Sequence, residues 1–482
     1  MSLNENDSVI ERISEIRPSQ ERKSELELLQ EQKLEIVQSH TRNYLNSILE
    51  QNASKPMRIQ SLNVVGAQNF RESFLKRQLY PLLVNDKLTL ENLLENIDAV
   101  KLNFLKTQTI SNLNFKIDSA YFKSRSTPAN GIDLLTTLQL IPVKNFTAKI
   151  GTNVGNGEGD AYLTVNYRNI FGAGENLTFD TNVSSSSIGA KTRSTYLLNF
   201  NLPFNNNPNW RLDNIAYSTN RLIDWCVPHE QHITGFTNRI SSQYEFFNHE
   251  FSVENILRTI KLTRPTTTYT NQFTVNDDIL SQCGESFKSS FIYSLKFDSR
   301  DNPLLPSSGV LFKNSTELAG LIPLSSNSEK NAKFIKNQFE FQLAQKLTSN
   351  NLNFFNFSLR GGYIHNLSST NNTLNIMDRF YLGGPNDLRG FALNGLGPKL
   401  SGSPIGGNFF YGGNLSLFNH VPKTSIDSNF KIHSFVNFGK LLNIKDLSDH
   451  DNFYENILKD PSVATGFGIV YKHPVARFEL NR

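Results

Sequence analysis

The apolar positions of this chain change their period along its length. Residues 1–56 carry mixed charges and few aromatics, and only from Ser24 onward is there a weak helical signal, with Leu45, Ile48 and Leu49 at i, i+3 and i+4. A charged extension, weakly helical or disordered, is expected there. Over residues 57–144 the pattern sharpens. The run 58-RIQSLNVVG-66 reads as a strand, and in 70-FRESFLKRQL-79 Phe70, Phe74 and Leu75 share a helical face. Thr89 offers an N-cap to 90-LENLLENIDAVKLNF-104, where Leu90, Leu93, Leu94, Ile97 and Phe104 form an apolar stripe. Strand-like runs follow at 111–118 and 133–144. The order strand, helix, helix, strand, strand predicts a small α+β domain with two helices on one face of a three-stranded sheet.

From Phe146 the helical period disappears and alternation takes over. Ala161, Leu163, Val165 and Tyr167 oppose Thr164, Asn166 and Arg168; Phe339, Phe341 and Leu343 oppose Gln338, Glu340, Gln342 and Lys346; Ala476, Phe478 and Leu480 oppose Arg477, Glu479 and Asn481. A soluble sandwich and a membrane barrel both produce strands of this kind, because one face meets a core or lipid and the other meets water or a wet lumen. Number separates them: about 15 such segments, joined by Gly-, Asn- and Ser-containing turns, exceed an ordinary sandwich and suit a transmembrane antiparallel barrel. The chain is therefore expected to be mainly β, with domains at 57–144 and 145–482. A soluble β-rich adhesin or carbohydrate-binding module, and a passive solute pore, are the rival readings.

Composition adds exclusions. No run of about 18 uncharged apolar residues exists, so membrane-spanning helices are not expected. A mean hydropathy of −0.37 remains compatible with a barrel whose strands alternate. With Lys+Arg at 48 against Asp+Glu at 44 and no dense basic cluster, nucleic acid is not an expected partner. Two cysteines, Cys226 and Cys283, cannot build a disulfide framework or a four-ligand zinc site; both read as packing residues, and no metal or other cofactor is expected. His420, His433 and His473 are scattered and read as ordinary barrel residues. Residues 1–40 have neither a secretory apolar core nor the acid-poor, Arg-rich character of a matrix presequence.

The stretch 381-YLGGPNDLRGFALNGLGPKL-400 has the glycines of a mobile connector, yet it holds one arginine between Leu388 and Gly390-Phe391. A small α+β domain feeding a barrel, then Gly383-Gly384 followed by Leu388-Arg389-Gly390-Phe391 after about eleven alternating strands, resembles the superfamily of outer-membrane barrel insertases and two-partner-secretion translocases. The hairpin 297-FDSRDNPLLPSSGVLF-312 resembles its counterpart there, and the α+β module resembles a polypeptide-transport-associated (POTRA) domain. One such module and the tail 463-VATGFGIVYKHPVARFELN-481 are similar to the mitochondrial sorting-and-assembly branch.

The resemblance implies a non-enzymatic insertase of the mitochondrial outer membrane, with the POTRA-like domain in the intermembrane space. Its implied partners are β-barrel precursors, peripheral subunits of the assembly complex and outer-membrane lipid. It also implies a loop folded into the lumen, where Arg389 needs acceptors. The matching late-strand stretch is Phe435 to Gly439, with Asn437 where an Asp is usual; Asn437 accepts a hydrogen bond but brings no charge, and Glu479 is the candidate for the missing one. The gate strand is expected over 146–155, with Phe146, Ala148, Ile150 and Gly151 on it. The resemblance further implies a sixteenth strand after 475-VARFELN-481, which this sequence does not contain.

Overall fold

The structure, a computed structural model, describes residues 20–84, 88–121, 131–155, 158–186, 192–223, 229–262, 280–322, 332–347, 352–368, 374–385, 387–400, 402–424, 428–444, 457, 459–473 and 476–481. Residues 1–19 of the extension and Cys226 lie outside them. The chain forms two compact units. The first takes the described part of Met1–Ala67 with Leu79–Leu102 and Leu113–Leu140; the second takes Gln68–Gln78, Asn103–Asn112 and Ile141–Arg482.

Helix α1 runs over Gln20–Asn52 without interruption. After it come β1 (Pro56–Val65), α2 (Glu72–Gln78), α3 (Tyr80–Val84), β2 (Leu88–Thr89), α4 (Leu90–Lys106), β3 (Ile110–Ser119) and β4 (Ile132–Pro142). Pro81 sits at the start of α3, where its missing N–H costs nothing, and it separates two helices where the periodicity suggested one. Thr89 does cap α4: its hydroxyl accepts the Asn92 N–H at 3.3 Å. Leu88 and Thr89 also pair with Met57 and Pro56, so the sheet has four strands in the order β2-β1-β4-β3, not three. The N-cap signal concealed a strand of two residues, too short to show alternation. Leu79, Leu82, Leu88, Leu93, Val100, Leu134, Leu138 and Leu140 supply the buried apolar residues of the first unit.

In the second unit, fifteen strands make one antiparallel sheet. They are β5 (Phe146–Gly155), β6 (Glu158–Arg168), β7 (Asn176–Ser186), β8 (Thr192–Pro203), β9 (Trp210–Ile223), β10 (His229–Ser242), β11 (Phe247–Leu262), β12 (Gly284–Asp298), β13 (Gly309–Ala319), β14 (Phe334–Lys346), β15 (Phe354–Asn366), β18 (Phe409–His420), β19 (Phe430–Leu442), β20 (Ser462–Lys472) and β21 (Arg477–Asn481). Each pairs with its neighbour in chain order, and β5 and β21 end the series. The number and the meander match the expectation of a membrane barrel. No described helix is long and apolar enough to cross a membrane.

Alternation assigns the two faces. On β11 and β12 the rings of Phe247 and Phe297 lie 5.2 Å apart, and those of Phe251 and Tyr293 lie 4.9 Å apart, on the outward face. Arg258 and Lys288 occupy the inward face and are buried. Turns are held by short polar side chains. Between β12 and β13, the Asn302 Oδ1 accepts the Leu304 N–H at 2.8 Å, and the Asp301 carboxylate accepts the Ser307 N–H at 2.9 Å. Burial alone would raise the Asp301 carboxyl, but its bonds from Ser307 and Ser308 hold it below the usual carboxylate value. At the start of the same turn, Arg300 forks onto Asp298 and reaches Gln342 on β14 at 2.8 Å, which anchors the hairpin that the sequence singled out.

Segments 68–78 and 103–112 join the second unit through a small polar and aromatic seam. The Arg71 N–H donates to the Gly172 carbonyl at 2.8 Å, the Asn169 amide to the Asn69 carbonyl at 2.9 Å, and Lys106 to Asn209 at 2.6 Å. Phe74 packs edge-on against Phe104 with ring centres 6.3 Å apart.

Candidate functional site

Between β15 and β18 the chain does not turn directly but runs through a long segment, residues 367–408, that includes the short hairpin β16 (Lys399–Leu400) and β17 (Ser403–Pro404). Its described residues form a folded body. Phe380 and Gly407 exchange backbone hydrogen bonds at 2.8 and 3.0 Å, and Leu382 bridges Leu396. Leu382 and Leu388 are fully buried in a cluster with Phe380, Ala319, Phe334, Ile364 and Leu441, against which Phe391 and Leu396 pack. The apolar residues that a solvated loop would not carry are thus the ones that fix it to the barrel's inner wall.

The motif residues converge on the last strands. Along β19 the inward positions are His433, Phe435, Asn437, Gly439 and Leu441, all buried. A Cβ on Gly439 would stand 2.6 Å from the Leu388 Cδ1 and 2.8 Å from the Tyr411 carbonyl oxygen, so only glycine leaves room for Leu388 here. Gly390 has φ +89° and passes so close to β20 that a Cβ would lie 2.8 Å from that of Ala464. Gly383 and Gly384 also have positive φ, which places them in the plain role of turn glycines.

Arg389 is anchored by a two-pronged ion pair: its Nε and Nη2 each donate to the Glu479 carboxylate at 2.9 Å. Both side chains are about four-fifths shielded, with exposures of 17% and 20%. The guanidinium carbon also lies 5.5 Å from the centre of the Phe435 ring. Asn437 takes a different part from the expected one. Its amide donates to the main-chain carbonyl of Arg389 at 3.2 Å and does not accept from the guanidinium. Of the two candidate acceptors, Glu479 holds the charge and Asn437 holds the backbone.

Glu479 in turn belongs to a chain of polar contacts. Arg477 pairs with it, and Asn481 donates to it at 2.7 Å. Asn481 meets His433 Nδ1 at 3.2 Å, and His433 Nε2 meets Ser416 at 3.0 Å. His433, which the sequence placed among ordinary barrel residues, therefore links β21 to β18. A cavity of about 800 Å³ lies beside the pair, lined by Arg389, Phe391, Phe435, Thr465, Arg477 and Glu479 among others.

The other end of the same segment carries a second charged cluster that sequence reasoning missed. Asp378 is 4% exposed, and its Oδ2 accepts from Arg258 Nη1 of β11 at 2.7 Å. Lys288 of β12 stands 3.7 Å from its Oδ1 and pairs with Glu317 of β13 at 2.7 Å, while Lys336 of β14 donates to the Asp378 carbonyl at 3.0 Å. Burial alone would raise the Asp378 carboxyl, but the charges of Arg258 and Lys288 hold it below the usual range. Nothing local marks these residues, because an inward lysine that meets a carboxylate reads like one that meets water. Cys283 packs beside Ile260 and Ile376 near this root, as a packing residue would. Among the described residues no group of His, Cys, Asp and Glu could hold a metal.

The proposed gate residues lie elsewhere. Phe146, Ala148 and Ile150 point outward from β5 and are exposed, Ile150 to 80%. Gly151 faces its cross-strand partner Tyr162, whose ring lies over it and would have to swing aside for a side chain there. β5 has β6 as its neighbour, and no ladder on its other side appears among the described residues.

Comparison with known proteins places this architecture. Residues 169–481 match the model of the Omp85 superfamily domain. The chain is 32% identical over 441 residues to a SAM50-like protein of Schizosaccharomyces pombe, covering 91% of this chain and 88% of that one. It is 28% identical over 456 residues to the sorting assembly machinery 50 kDa subunit of Saccharomyces cerevisiae, covering 90% of each. It is 29% identical over 362 residues to the human sorting and assembly machinery component 50 homolog, covering 73% and 70%. In fold it is similar to the crystal structure of BamA from Haemophilus ducreyi lacking POTRA domains 1–3, with a TM-score of 0.64 at 14% identity over 89% of this chain and 81% of that one. With the family model covering most of the barrel and the fission-yeast relative spanning nearly the whole chain, this protein belongs to the Omp85 superfamily.

Proposed function

We propose that this chain is a non-enzymatic insertase that folds β-barrel precursors into the mitochondrial outer membrane by strand templating at β5. The observation that carries the reading is a fifteen-stranded antiparallel sheet, begun by β5, whose long loop is fixed to the inner wall by buried leucines and the Arg389–Glu479 pair. A precursor strand entering hydrocarbon with unpaired N–H and C=O groups incurs several kcal/mol for each. An available strand edge lets it exchange water for backbone hydrogen bonds by β-augmentation, with no covalent step. The relatives whose names refer to sorting and assembly support the same assignment.

In this reading the partners are β-barrel precursors, peripheral subunits of an assembly complex and outer-membrane lipid, and the N-terminal α+β region lies in the intermembrane space as a POTRA-like domain. The segment 374–408 does not suit a passive pore, because it packs buried leucines and an ion pair against the inner wall where a pore needs water.

Depletion of the chain tests the assignment. Newly imported barrel precursors should reach the organelle and accumulate unassembled, and re-expression should restore their assembly. Normal precursor assembly accompanied by lowered outer-membrane solute conductance would instead establish the pore.

A further inference from the structure

The loop is tied to the wall at three places. Asp378 meets Arg258, Lys288 and Lys336 at its root; Arg360 of β15 pairs with Asp387 in its middle; Arg389 meets Glu479 at its tip. The root is the most deeply buried of them: Arg258 is 3% exposed and Asp378 4%. Three cations from β11, β12 and β14 converge there on one loop residue, and Lys288 also engages Glu317. Burying charge is costly unless every member is paired, so such a cluster tolerates few alternative loop positions.

The root is also joined rigidly to the tip. Phe380 is locked to Gly407, Leu382 to Leu396 and Gly384 to Leu388 by backbone bridges, and the Gly383 N–H donates to Asp387 at 2.7 Å. Lys336 further holds the ring of Phe380, with its Nζ 4.8 Å from the ring centre. A body braced in this way transmits a displacement at Asp378 to Arg389.

We propose that Asp378 is a positioning residue: its buried pairing with Arg258 and Lys288 sets the root of the loop so that Arg389 meets Glu479, which ties β21 to β11 and β12 through the lumen. Asp378 touches no client in this account and acts through Arg389. The effect on client assembly rests on the insertase reading, whereas the effect on the loop does not.

The test uses the full chain assembled in membranes, with Asp378→Asn, Arg389→Ala and the double variant compared for proteinase K cleavage within residues 374–408 and for precursor assembly rate. Folding is checked in each by the heat-dependent gel mobility of an intact barrel. Each single variant should raise loop cleavage about tenfold, and the double should exceed neither single by much, because both open the same link. The charge swap of Asp378→Arg with Arg258→Asp should restore at least part of the protection. Additive effects of the two singles, or a loop that stays protected in Asp378→Asn, would overturn the proposal. If Asp378→Asn yields no folded barrel, Lys336→Met takes its place, since it removes one cation of the cluster, with its bond to the Asp378 carbonyl and its contact with Phe380, and leaves the Arg258–Asp378 pair in place. Raised cleavage there supports the link, and unchanged cleavage overturns it. Because cleavage is read on this chain alone, a changed loop with unchanged precursor assembly would count against the insertase reading and leave the positioning role standing.

Discussion

Glu479→Arg releases the loop and slows client assembly, and pairing it with Arg389→Glu restores much of both. The single change puts a third guanidinium beside Arg389 and Arg477, both of which now contact Glu479. Removing the acceptor from this part-buried, charge-assisted pair costs about 1.5–3 kcal/mol, because the arginines are left shielded without it. At about 1.4 kcal/mol per decade, that corresponds to roughly a ten- to hundredfold rise in the population of released loop. Proteinase K cleavage within 374–408 reads this directly. The reciprocal swap keeps one charge of each sign and the fork of an arginine, so it discriminates a lost contact from a general loss of folding. If Glu479→Arg left cleavage and assembly at wild-type levels, the pair would be a surface contact of little worth.

Gly439→Ala produces the second large effect, and Leu388→Ala partly relieves it. The added methyl meets the Leu388 Cδ1, which could move, and also the Tyr411 carbonyl oxygen, which is backbone and could not move cheaply. Overpacking of this kind costs about 1–3 kcal/mol. Leu388→Ala alone removes a side chain that is 1% exposed, with an expected cost of about 2–5 kcal/mol. Thermal unfolding of the three variants in detergent should therefore show the double variant less destabilised than the sum of the singles. Strict additivity would mean that Leu388 and Gly439 do not share the space the structure gives them.

Much of this fold is written in the period of the apolar residues. The strands of the barrel declare themselves because lipid and lumen impose opposite demands on successive positions, and that demand survives even in short runs such as Arg477–Asn481. The two-residue strand β2 has no period to show, and Thr89 was legible only as the cap of α4. The long unbroken helix α1 gives only a weak periodic signal because its charged sequence has no apolar face for a core to select.

At the site, sequence carried the motif and the two possible partners of Arg389 but could not choose between them. Asn437 and Glu479 both face the lumen, and the choice depends on how deep the loop sits, which is set by Leu388 against Gly439. The Asp378 cluster was invisible for a related reason. Its partners Arg258, Lys288 and Lys336 stand on three different strands, at inward positions where a charged residue is ordinary, and only the path of the loop brings two of them to the Asp378 carboxylate and the third to its main-chain carbonyl. Local pattern records which face a residue takes; it does not record what the opposite wall brings to meet it.

The central claim is that a precursor strand pairs with β5, and site-specific crosslinking measures it most directly. With cysteine at Ile150, an outward residue of β5, and cysteines placed along the final strand of an imported barrel precursor, the account predicts adducts at alternate positions of that strand during assembly. They should fade as the client is released. Absence of adducts along the whole strand, in a chain that is inserted and supports assembly, would contradict it.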